Sequence, residues 1–65
     1  MPTNPMDVIR MALEREKVAY RNYTEYARLA KEPAIQELFR FLAEEEKKHV
    51  KLLQEEIEKE TLQEM

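Results

Sequence analysis

The chain has no cysteine, so disulfides and thiolate metal sites are both excluded and its redox compartment is left open. It has no glycine and only 3 prolines, which leaves few places for a tight turn. No apolar run approaches the roughly 18 residues of a membrane span. Met1-Pro2-Thr3-Asn4-Pro5 lacks the charged and apolar regions of a signal peptide. Basic residues are outnumbered, 11 Lys and Arg against 14 Asp and Glu, for a formal net charge of −3. A nucleic-acid partner calls for a clustered basic surface, and none stands out along the sequence. The expectation is a soluble, cytoplasmic protein that engages neither membrane nor nucleic acid.

What is present is a surplus of strong helix formers: Ala, Leu, Glu, Lys, Gln, Arg and Met dominate. With 65 residues there is one domain at most, and a lone core of such size rarely supplies more than about 3–5 kcal/mol, so a partner or a metal is expected. Asn4-Pro5-Met6-Asp7 reads as a helix start, with Asn4 as the cap, Pro5 at the first helical position and an acid near the positive helix end. Ile9, Ala12, Leu13, Glu16, Ala19, Tyr20, Tyr23, Ala27 and Ala30 then recur at helical spacing. This predicts a helix over about 5–31. Lys31-Glu32-Pro33 is the one break, because proline disfavours helical geometry in the residue before it and suits the first turn of the next helix. A second helix is expected over about 33–60, with 61–65 frayed and with Glu44–Lys48 and Glu55–Lys59 as surface pairs. Residues 1–65 thus read as a single antiparallel two-helix hairpin, all-α, which hides its long apolar face by dimerising into a four-helix bundle.

Within the second helix, Glu46 and His49, the chain's only histidine, interrupt an apolar stripe of Ile35, Leu38, Leu42, Leu53 and Ile57. Residues three apart share a helix face, so both polar groups are expected on a buried seam. Glu16 stands likewise amid the first helix's stripe; Ile9, Tyr23 and Ala27 lie within about 20° of it on an ideal wheel. Counting from a turn at residue 32, Glu16, Glu46 and His49 all lie roughly 21–26 Å along the hairpin. They share one level as well as one face. Buried ionisable groups need a partner or a metal. One Glu plus a Glu-x-x-His is half of the six-residue set of the ferritin-like di-iron bundles, and two copies about a two-fold axis would supply the whole: four Glu and two His. With both imidazoles neutral the carboxylates carry −4, which two divalent cations cancel. Such donors suit Fe(II), Mn(II) or Zn(II).

A family resemblance rests on Glu16-x-x-Ala19-x-x-x-Tyr23-Thr24-x-Tyr26-Ala27 and on Glu32-Pro33-Ala34-Ile35-x-Glu37-Leu38-Phe39-x-x-Leu42-Ala43-x-Glu45-Glu46-x-x-His49. These segments resemble the rubrerythrin branch of the ferritin-like superfamily, and the short length and Glu-Pro turn look like the two-helix encapsulated ferritins, which complete a ferroxidase site across a subunit interface. The resemblance implies Glu16, Glu46 and His49 as metal-ligating and catalytic residues, with Glu46 bridging, and Tyr23 as a hydrogen-bond donor to a ligand carboxylate. It implies two Fe ions per homodimer, or Mn or Zn in their place, and oxidation of Fe(II) by O2 or peroxide. Without the rubredoxin cysteines of peroxidase relatives, reduction needs an external electron donor. An encapsulin lumen is a location such relatives use, but no docking extension is evident after Met65.

Two plainer readings stand beside this one. A coiled coil tolerates a buried polar layer that fixes register, which accounts for one such residue better than for three. The chain would then be a non-enzymatic helical dimerisation or metal-binding module. Tyr20, Tyr23 and Tyr26 read as packing residues rather than redox groups, and the four methionines share no spacing that points to a role.

Overall fold

A computed structural model describes residues 4–63 as two helices, α1 (Pro5–Leu29) and α2 (Pro33–Gln63), folded back on each other as a hairpin. There is no strand among the described residues. Asn4 caps α1: its side-chain oxygen accepts from the Met6 N–H at 2.9 Å, with Pro5 in the first turn and Asp7 at the positive end. Asp7 also receives Arg10 at 3.3 Å.

The turn differs in detail from the sequence expectation. α1 ends at Leu29 rather than near Lys31, because Ala30 has left helical geometry with φ −67° and ψ 137°. Gln36, one turn into α2, explains the early stop. Its side-chain amide donates to the Ala30 carbonyl at 2.7 Å, taking an acceptor that further helix would have used. The Glu32 carbonyl accepts from the Ile35 and Gln36 N–H groups at 3.1 and 3.0 Å, so α2 starts at once. At the other end α2 runs on to Gln63 instead of stopping near Glu60. No glycine or proline interrupts it, and the Thr61 hydroxyl donates to the Ile57 carbonyl at 2.8 Å. Of the stretch expected to fray, residues 61–63 are helical and the last two lie outside the described residues. On the surface Lys48 reaches Glu45 at 3.4 Å, one residue from the expected Glu44. Exposed pairs of this kind contribute little.

The hairpin measures 49 × 23 × 11 Å. Its least dimension is one helix diameter, so neither broad face is covered by another layer. Met6, Leu13, Ala27 and Ala43 are the only buried apolar residues among those described, and no polar residue is buried. This core is small. The two open faces differ in character. One carries Ala12, Ala19, Tyr23, Tyr26, Leu38 and Leu42 beside Glu16 and His49, and on it Leu38 is 50% and Tyr26 45% exposed. Residues about 200° away on the same helices, such as Arg21 against Ala19 and Lys47 against His49, make the opposite face polar.

Candidate metal centre

The site is built by helix geometry alone. Glu46 and His49 sit one turn apart on α2, and the hairpin brings α1 alongside so that Glu16 meets them at the same level. His49 Nδ1 lies 3.4 Å from Glu16 Oε2 and 3.5 Å from Glu46 Oε2. One donor atom from each of the three residues falls within 4.8 Å of the others, a grouping that could hold a metal ion. Of the sequence-predicted residues, these three are brought together.

Burial within one chain is less than the sequence reading expected. The side chains are 18% exposed for Glu46, 31% for Glu16 and 49% for His49. A buried seam is therefore not present in a single hairpin, because two helices side by side leave nothing above the groove. Exposure rises in order from the groove floor outward, with Glu46 deepest.

The deepest group is also the unsatisfied one. Glu46 Oε2 is shielded from solvent and has no hydrogen-bond partner. A neutral imidazole carries one N–H, on Nδ1 or on Nε2, so Nδ1 can donate to at most one of the two carboxylate oxygens facing it, and both separations exceed the usual N–H···O range. Leaving a shielded carboxylate oxygen without a partner is unfavourable, and a cation is the partner that such an atom accepts most readily. The donor set of two carboxylates and an imidazole fits a first-row divalent metal such as iron, manganese or zinc.

Tyr23 is placed differently from the other three. Its ring stacks on Phe39 at 6.1 Å, and it meets Tyr26 edge-on at 6.3 Å; Tyr26 meets Phe39 edge-on at 5.4 Å. The three rings form one layer between the metal-ligand candidates and the turn. Sequence reasoning named Tyr23 and Tyr26 as packing residues but did not see Phe39 join them. Counting each from residue 32 would have shown the match in height, the same test that located Glu16.

A sequence model of the rubrerythrin family matches residues 7–65, which include α1 from Asp7 onward, all of α2 and all three converging donors. Neither a curated protein nor a solved structure matches the chain. The match spans nearly the whole sequence, and with it the all-helical hairpin and the Glu/Glu/His cluster take a common explanation: the chain belongs to the rubrerythrin family, a family of iron-binding, ferritin-like proteins.

Proposed function

We propose that two copies of the hairpin pack site face to site face as a ferritin-like four-helix bundle, and that the shared centre binds iron and oxidises Fe(II) with O2 or peroxide. The observation that carries this is the convergence of Glu16, Glu46 and His49 around a solvent-shielded Glu46 oxygen that has no partner in one chain. Iron bound there would supply the redox chemistry. The chain's own residues do the rest. Glu16 and Glu46 from both copies provide four negative charges that balance two divalent ions, and His49 adds an imidazole nitrogen. Ala19 leaves room for close approach of a second copy, which would cover the exposed Leu38 and Tyr26 and so exclude water on the turn side. A Tyr23 hydroxyl reaching a ligand carboxylate is proposed for the assembled form. These 65 residues carry no cysteine for a rubredoxin-type iron, so the electrons for re-reduction come from outside them.

The test is metal analysis of protein purified without added metal, then aerobic Fe(II) titration with sedimentation on the same sample. About two metals per dimer and a saturable oxidation rate support the reading. A monomer with no metal refutes it.

One observation favours a second reading, a dimerisation module without enzymatic activity. A protonated His49 could hold Glu16 across 3.4 Å as a simple ion pair, with no metal needed. Equal metal content in parent and His49→Ala protein would favour that alternative.

A further inference from the structure

We propose that the face opposite the metal centre binds a phosphoryl anion in the cleft between Lys17, Arg21 and Lys47. This rests on no part of the iron reading. The chain places like charges four apart on both helices, Lys17 with Arg21 on α1 and Lys47 with Lys51 on α2. Such pairs oppose helix formation. The hairpin then compounds the repulsion, because Lys17 and Lys47 are equally distant in sequence from Glu32 and so stand at one height across the groove.

Acidic partners could relieve the repulsion in a chain this rich in glutamate, yet they are missing from the cleft. Arg10, Arg28, Arg40 and Lys48 each pair with a carboxylate three residues away. Of the four clustered cations only Lys17 does so, with Glu14 at 3.6 Å. Among the described residues no carboxylate comes within 4.0 Å of Arg21, Lys47 or Lys51. The cleft has a volume of about 330 Å³ and is lined by Lys17, Tyr20, Arg21, Lys47 and Val50, without an acid. Lys51 lines the adjoining hollow.

The lining suits phosphoryl oxygens. A guanidinium presents a planar fork to two of them, ammonium groups add point charges, and the Tyr20 hydroxyl adds a neutral donor. Arg21 and Lys47, neither with a carboxylate partner, together with Lys17, shared with Glu14, exceed what a single carboxylate needs and match a dianion. The Tyr20 ring and Val50 form an apolar wall, which strengthens the field inside. The sequence alone showed no clustered basic surface because its members are split between two helices. Glu44 on the neighbouring rim keeps the patch short, so the ligand is a small anion: free phosphate or the phosphoryl group of an ester.

The experiment melts the full chain at fixed pH and ionic strength, with chelator present so that any metal-bound phosphate is removed. Orthophosphate, tripolyphosphate and a nucleoside triphosphate are titrated separately against chloride. A saturable rise in melting temperature is expected with phosphoryl anions and not with chloride. A response to orthophosphate identifies the free ion as ligand, and a response only to the nucleotide identifies an ester. Arg21→Gln with Lys47→Gln should melt higher than the parent in chloride, since repulsion is removed, and should lose the phosphate-dependent rise. Arg15→Gln, on another face, should keep it. No saturable rise with any phosphoryl anion, or an equal rise in the double variant, overturns the proposal.

Discussion

Replacing Glu46 by leucine should change stability in opposite directions depending on whether metal is present. In the metal-free protein the Glu46 side chain is 18% exposed, and its Oε2 is shielded and unpartnered. An unsatisfied shielded acceptor costs about 1–3 kcal/mol. Leucine removes that cost, is at least as good a helix former, and continues the stripe from Leu42. At about 4–8 °C per kcal/mol for a domain of this size, a gain of ~2 kcal/mol raises the melting temperature by roughly 8–16 °C. With metal the sign reverses. Free metal at a hundredfold excess over its dissociation constant stabilises by about 2.7 kcal/mol per site, or roughly 10–20 °C on the same scale, and the leucine variant forfeits this. The assay is a melt followed by helical circular dichroism, parent and variant, each with chelator and with Fe(II) under anaerobic conditions. The parent should respond strongly to chelator and the variant hardly at all, with the variant the more stable of the two once metal is removed. If the variant melts below the chelated parent, the Glu46 carboxylate is a structural asset and not a tolerated liability. If parent and variant respond equally to chelator, Glu46 is not a ligand.

Removing His49 tests the same centre from its exposed side: His49→Ala should weaken metal binding on the order of 10–100-fold or more, read by competition with a coloured chelator, with helicity unchanged. Leu38→Asp, at a half-exposed position on the site face, should shift sedimentation toward monomer and lower metal content with it, whereas Lys51→Asp on the opposite face should leave both as they were. Gln36→Ala should cost about 1 kcal/mol by stripping the Ala30 carbonyl of its 2.7 Å donor, seen as a lower denaturant midpoint at unchanged slope. The Arg28 guanidinium, hydrogen-bonded to Glu25 at 3.0 Å, holds that carboxyl below its ordinary range. Stability from this pair is therefore present above the ordinary carboxylate pKa and is lost as pH falls through the depressed one. A carboxyl NMR titration should show the Glu25 midpoint rise in Arg28→Gln.

Much of the hairpin is legible in the sequence because its signals are local. Asn4-Pro5 at the start and Glu32-Pro33 at the break act through backbone sterics and unpaired N–H groups, and those rules need no tertiary information. What sequence reasoning could not place was set by contacts over longer spans. The early end of α1 depends on Gln36 turning back to Ala30, a choice open to a side chain that could as well have faced solvent. The extension of α2 to Gln63 depends on the lack of any stop signal, and composition at a chain end argues weakly either way. Phe39 joined the aromatic layer through its height on the opposite helix, and the basic cleft was hidden because each helix holds only half of it.

The candidate site was found by requiring face and height to agree, and the same logic shows where single-chain reasoning stops. Face and height are properties of one hairpin; burial is a property of what covers it. Burying charge is costly, yet in one chain only part of that cost is present, concentrated on Glu46 Oε2, while His49 stays about half exposed. The order of exposure, Glu46 then Glu16 then His49, therefore carries more information than the average. In an inert polar layer the single imidazole N–H would serve the deeper carboxylate, Glu46, and leave the more exposed Glu16 to water. A cation site would have reason to differ: the most enclosed of the three groups, Glu46, is the one with a free oxygen, and the more exposed imidazole would complete the set. On this argument ¹³C-labelled glutamate carboxyl signals should respond to a diamagnetic dication such as Zn(II) most strongly at Glu46, and a response confined to exposed glutamates such as Glu55 and Glu58 would show that the cluster holds no ion.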